Sequence, residues 1–362
     1  MLRQPIPYCA LLSALMASAA VQAAASATAS ATASAATLPD TVCTAANKPI
    51  DEQGYVTIGG IPQWVRIKGA SCANPVLLLV HGGPGNPLTP YADTVYRAWE
   101  RDFTLVQWDQ RGAGKTFERT PMTDDQPLTI ERLRDDGNEM ARYAARRFGK
   151  RKVILFGGSW SSALGTYMAK ASPASFCAFV STAQLVRGFE GRDSYDAALS
   201  QARAAGDADA VARLDKIGPP PWTDPRSPGI LRRVLRKYEA MSTVPAPKAW
   251  WRPAPGYDTP DYEAAYTAGE DYSWLQFVGL HGDGIGAKID LYKLGPTFDI
   301  PVYMIQGAQD LVTMPEASKA YYDSIRAPKK DFVLVDGAGH DPNPPLLAAQ
   351  YRVLREKVGD CR

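Results

Sequence analysis

The chain has 362 residues, 45% of them hydrophobic and 22% charged, enough for one large domain with an insertion or for two domains. Its formal charge of +2 is near balance, with no basic block to hold nucleic acid and no acidic tail. Past the N-terminus, no apolar run is long enough to span a bilayer.

Residues 1–23 read as a signal peptide. Arg3 supplies the positive charge, Cys9 to Ala20 is a short apolar core, and Val21-Gln22-Ala23 fits a cleavage site. Cys9 lies inside that core, so it does not read as a lipoprotein cysteine. Residues 24–40, largely Ala-Ser-Ala-Thr, read as a low-complexity spacer. The expected protein is exported, periplasmic or secreted, with no stable membrane anchor after cleavage. Cleavage leaves Cys43, Cys72, Cys177 and Cys361, which permit up to two disulfides in three connectivities. Cys43–Cys72 is favoured, because the two flank an N-terminal hairpin. Cys177 reads equally well as a buried free thiol. There is no Cys-x-x-Cys pair and there are only three histidines, so no metal site is expected.

The hairpin is Gly54–Ile58 and Gln63–Ile67, which alternate apolar and polar around Gly59-Gly60-Ile61-Pro62. Pro75–Val80 is a continuous apolar strand, ending in His81-Gly82-Gly83-Pro84-Gly85. Phe103–Trp108 is another, ending in Asp109-Gln110-Arg111-Gly112-Ala113-Gly114. Thr129–Phe148 has helical spacing with Thr129 as N-cap. The strand at Val153 runs into Gly157-Gly158-Ser159-Trp160-Ser161, and a helical run follows. Phe176–Thr182 is the next strand. From 184 to 298 strand patterns vanish, prolines, Pro260 among them, interrupt helical stretches and aromatics are dense, which reads as an inserted helical cap. Sheet pattern returns at Ile300–Gly307 and Phe332–Val335, and Pro345–Val358 reads as a C-terminal helix. The core is therefore split, 41–183 and 299–362. Strands alternating with helices predict an α/β fold with a mostly parallel central sheet flanked by helices, and a site at the carboxyl ends of its strands.

A strand, a sharp turn, a serine and a helix make a nucleophile elbow. The usual pattern is G-x-S-x-G, and Ser161 stands where its last glycine would be. A serine nucleophile needs a base, and the base needs an orienting acid. His340 follows the last strand on a glycine-rich loop, and Asp310 follows the strand before it. Ser159 is thus the candidate nucleophile, His340 the general base and then acid, and Asp310 the group that fixes the imidazole tautomer. The oxyanion needs backbone donors where the chain comes close. Gly83 N–H and Trp160 N–H are the candidates. His81 reads as structural, and His281 as structural or pocket-lining. Gly112-Ala113-Gly114-Lys115-Thr116 imitates a phosphate loop, but the full pattern wants glycine at Asp109.

Together, the stretches His81–Gly85, Asp109–Gly112 with Gly114, and Gly157–Trp160 resemble the proline iminopeptidase family of α/β-hydrolases. The likeness covers about 54–182 and 300–358. It implies an α/β-hydrolase fold, with these turns forming the oxyanion hole and elbow. It also implies release of N-terminal residues from peptides, and a helical cap whose carboxylates hold the substrate's free amine. Glu190 is the first candidate for that carboxylate, with Glu270 and Asp271 behind it. No cofactor is implied, and the partner expected is a small peptide or ester. Two rivals stand: a carboxylesterase acting on small or lipid-like esters with the same triad, and a non-catalytic binding protein on a hydrolase scaffold. Oligomeric state is not legible.

Overall fold

Five consecutive apolar residues, as in Val76–Val80, are satisfied only in a strand covered on both faces. In the computed structural model all five are buried, and the strand lies inside an eight-stranded sheet. Residues 37–38, 42–43, 48–188, 191–359 and 361 are described. The signal peptide 1–23 and most of the spacer lie outside them, as does Glu190.

In chain order the strands are β1 (Ile50–Ile58), β2 (Ile61–Gly69), β3 (Val76–Val80), β4 (Thr104–Trp108), β5 (Val153–Gly158), β6 (Phe176–Thr182), β7 (Val302–Gly307) and β8 (Lys330–Val335). Their spatial order is β1-β2-β4-β3-β5-β6-β7-β8. The β1–β2 and β2–β4 pairs are antiparallel and every other pair is parallel, so the hairpin sits at one edge. Each parallel strand ends on the same side, which gathers the glycine-rich turns there.

Helices α1 (Gly114–Arg119), α2 (Ile130–Arg147) and α3 (Trp160–Ala171) follow the first strands. Thr129 caps α2 as expected, its hydroxyl accepting from Arg132 N–H at 3.1 Å. Between β6 and β7 the chain leaves the sheet for α4 (Arg192–Ala204), α5 (Ala208–Ile217), α6 (Ser227–Ser242), α7 (Pro260–Val278) and the short α8 (Ile285–Lys288). The first three close a small core of their own around Tyr195, Leu214, Leu235 and Tyr238. Pro260 is not a break: it is the first residue of α7, behind Thr259 as N-cap. α7 packs on the sheet side through Ser273, whose hydroxyl donates to Gly112 O at 2.7 Å. Helices α9 (Pro315–Ser324) and α10 (Pro344–Val353) complete the fold, and α10 runs into one π-type turn rather than staying α-helical to Val358.

One sheet face packs on Leu133, Met140, Leu164 and Met168 of α2 and α3, the other on Leu346, Val353 and Leu354. Cys43 and Cys72 pair, as favoured, bracketing the hairpin. Cys177 is not a free thiol. It is bonded to Cys361, tying the segment after α10 to β6. Among the described residues no helix is long and apolar enough to cross a membrane.

Candidate active site

β5 is buried until Gly158, and Ser159 turns the chain abruptly into α3 with φ 56° and ψ −126°. That left-handed φ is uncommon for a residue with a side chain. The turn is held at both ends: Ser159 N–H donates to Thr182 O at 3.0 Å, and Ser162 N–H donates to Ser159 O at 2.9 Å. Gly157 must be glycine, because a Cβ there would sit 2.4 Å from the carbonyl oxygen of Ser161. Ser161 is a fitted replacement for glycine. Its hydroxyl accepts from Gly158 N–H at 2.8 Å and lies 2.6 Å from Val80 O, so it ties the elbow to the end of β3.

The loops after β7 and β8 bring Asp310 and His340 to this serine. His340 Nε2 lies 2.8 Å from Ser159 Oγ, and His340 Nδ1 lies 3.1 Å from both oxygens of Asp310. The carboxylate is fully buried and well supplied with donors. Its Oδ1 accepts from the N–H groups of Val312 (2.9 Å) and Thr313 (2.8 Å). Its Oδ2 accepts from the Thr313 hydroxyl (2.7 Å) and Gln306 Nε2 (2.9 Å). Burial pushes the Asp310 carboxyl up, but the charge and hydrogen bond of His340 and the Thr313 bonds outweigh it and hold it below the ordinary value. The imidazole shows the mirror image: burial alone would lower its pKa, and the Asp310 anion raises it instead. An aspartate kept ionised and a histidine made more basic can draw a proton from a hydroxyl at hydrogen-bond distance.

Glu239 on α6 is a residue that motif reading misses. One of its oxygens accepts from Leu311 N–H at 2.6 Å and the other from His340 N–H at 3.4 Å. It clamps the aspartate loop to the histidine loop. Burial, with Asp310 nearby, raises its pKa. No local pattern marks this role, because it arises only when α6 packs on both loops.

The two candidate oxyanion donors flank the serine. Trp160 opens α3, so its N–H has no carbonyl one turn behind it and carries the positive end of the helix dipole. Gly83 has φ 112°, and a Cβ on it would meet Gly85 N at 2.7 Å. The adjoining Gly82 lies so close that a Cβ on it would sit 3.6 Å from that of Ser159.

His81 anchors this loop. Its Nδ1 lies 2.9 Å from Gly82 O, and its Nε2 accepts from Gln110 N–H at 3.1 Å. Burial drops its pKa to about 4, so it stays neutral and structural. Gln110 reaches back to His81 O (2.8 Å) and accepts from the Trp160 indole (3.3 Å). The Asp109–Gly112 turn is thus a brace between the two glycine turns. Arg111 fixes it further through the buried Asp136 (2.8 Å). Lys115 of the imitation phosphate loop is occupied, its ammonium lying 4.8–5.3 Å from the rings of Trp64, Tyr257 and Tyr262.

Ser159 and His340 open on a cavity of about 530 Å³. Glu270 and Asp271 line it from α7, and Arg232 lines it from α6. His281 does not line it, being exposed in the turn after α7.

A family model described as the alpha/beta hydrolase fold matches residues 75–344. The chain belongs to that family, and it is a hydrolase. It is 26% identical over 311 residues to a probable aminopeptidase of Bacillus subtilis, covering 81% of this chain and 92% of the relative. It is 25% identical over 327 residues to the proline iminopeptidase of Neisseria gonorrhoeae, covering 84% and 95%. The crystal structure of a proline iminopeptidase from Mycobacterium smegmatis superposes with a TM-score of 0.57 at 19% identity, over 84% of this chain and 93% of that one; at that identity the likeness concerns the fold.

Proposed function

We propose that this hydrolase is an exported serine aminopeptidase of the proline iminopeptidase type. The observation that carries the reading is a buried Asp310–His340–Ser159 relay facing a cavity that also holds the Glu270 carboxylate, which no cation within 4.0 Å pairs among the described residues. In this reading His340 takes the Ser159 proton as the hydroxyl attacks the scissile carbonyl. Gly83 N–H and Trp160 N–H receive the oxyanion. The imidazolium then protonates the leaving amine, and water repeats the sequence on the acyl-enzyme. The segment 184–298 acts as a cap over the site, and its carboxylates select a free α-amine. The relatives named above support the peptidase reading over an esterase. The two disulfides support export, since such bonds persist in oxidising compartments.

A substrate panel tests this. Proline-, alanine- and leucine-naphthylamides are expected to be cleaved well, and their N-blocked forms and nitrophenyl acyl esters poorly. Strong turnover of blocked amides or esters, without preference for a free amine, would replace the aminopeptidase by an esterase. Glu270→Gln is expected to cut kcat/KM for free-amine naphthylamides by about 10- to 100-fold, the worth of one hydrogen bond to a charged group. The small residual rate on N-blocked amides should fall far less, measured side by side.

A further inference from the structure

The cavity carries charge of both signs. Arg232, Arg233 and Arg236 line it from α6, and Glu270 and Asp271 from α7. Arg236 is already neutralised by Asp341, Nε to Oδ2 at 3.1 Å. Arg232 differs. Its Nε is buried with no partner, and its guanidinium makes no hydrogen bond or ion pair among the described residues. Arg232 and Glu270 feel each other's charge yet are not in contact as a pair. An arginine left so is disfavoured: burial, with Arg236 beside it, pushes its pKa down. A bound carboxylate would remove that penalty, since the guanidinium fork matches a carboxylate bidentately.

The position of Arg232 says which part of a substrate brings the carboxylate. Its charge opposes protonation of His340, so it lies within electrostatic reach of the imidazole. That imidazole delivers the proton to the leaving amine. In a dipeptide the terminal carboxylate is one carbon away from the leaving nitrogen. Glu270 lines the same cavity from α7, its Cα 2.9 Å from where a Cβ on Gly85 would be, next to the loop that carries Gly83. The one cavity therefore offers a cation and an anion to a molecule that bears both charges.

We propose that Arg232 receives the C-terminal carboxylate of the leaving residue, which makes free dipeptides the preferred substrates. This rests on the aminopeptidase reading above. The test compares prolyl-glycine and alanyl-glycine with their C-terminal amides and with the matching aspartyl amides, on the wild type, Arg232→Gln and Arg232→Lys. The wild type is expected to prefer the acid over the amide at least tenfold in kcat/KM, mainly through KM. Arg232→Gln should erase most of that preference, and Arg232→Lys should retain part of it. Equal turnover of acid and amide by the wild type, with free-amine naphthylamides still cleaved, overturns the arginine assignment alone. A preference kept in Arg232→Gln overturns it too, as does a preference for aspartyl amides over free acids. If no free-amine substrate is cleaved while acyl esters are, the aminopeptidase reading itself fails.

Discussion

Ser159→Ala is expected to lower kcat by about 10⁴- to 10⁶-fold and to leave the protein folded. The size follows from the division of labour in such sites: without the hydroxyl no acyl-enzyme forms, and only binding and oxyanion contacts accelerate attack by water. The variant keeps its fold because the Ser159 hydroxyl bonds to His340 and to nothing that holds the elbow together. The elbow depends on Gly157, on the Ser161 hydroxyl and on backbone bonds at Thr182 and Ser162, all of which survive. Alanine inherits the same left-handed backbone, so the strain at φ 56° is present in both proteins. Turnover of alanine naphthylamide, together with labelling by a phosphonate probe, measures the effect. Undiminished turnover, or a labelled variant, would remove Ser159 from the chemistry and with it the reading of the elbow.

What could be read from the sequence was whatever is decided locally. The apolar run of β5, the crowding that demands Gly157 and the capping hydroxyl of Thr129 are each properties of a few adjacent residues. The order Ser159, Asp310, His340 was legible because each residue follows a recognisable strand. Other features depend on chain segments that meet only after folding. Cys177 and Cys361 are 184 residues apart, and nothing near either one announces the other. Glu239 and Arg232 lie on one amphipathic helix, and their differing surroundings come from what α6 is packed against: the loops of Asp310 and His340 on one side, an open cavity on the other. Pro260 misleads for a different reason. Proline ends a helix from within but starts one at its first turn, and the sequence alone does not say which side of the helix begins there. Ser161 looks like a defect in the motif until the Val80 carbonyl, brought up by β3, gives its hydroxyl a place.

Asp310→Asn is expected to reduce kcat by about 10⁴-fold, through the tautomer of His340 rather than through its position. The carboxylate accepts from Nδ1, which leaves Nε2 unprotonated and facing Ser159. An amide nitrogen at that place would donate to Nδ1 and put the proton on Nε2, the wrong nitrogen to receive another. The variant also turns an NH₂ group toward N–H or O–H donors, since each carboxylate oxygen already accepts from two groups besides the imidazole. That conflict costs about 1–3 kcal/mol of stability, read from a denaturant midpoint. The pH profile separates the two effects. His340 must be neutral to act as base, and the Asp310 anion raises its pKa above the ordinary value. In the wild type, kcat/KM therefore falls as pH drops through a limb lying above the usual histidine range. Burial is the largest single influence on His340 and lowers its pKa; removing the charge and hydrogen bond of Asp310 takes away what opposes it, so the limb in Asp310→Asn moves to lower pH while the plateau sinks. A limb that stays in place would mean that the group titrating in the wild type is not His340 under the control of Asp310; the carboxyl of Glu239, itself raised by burial beside the same loops, would then be the one to replace next.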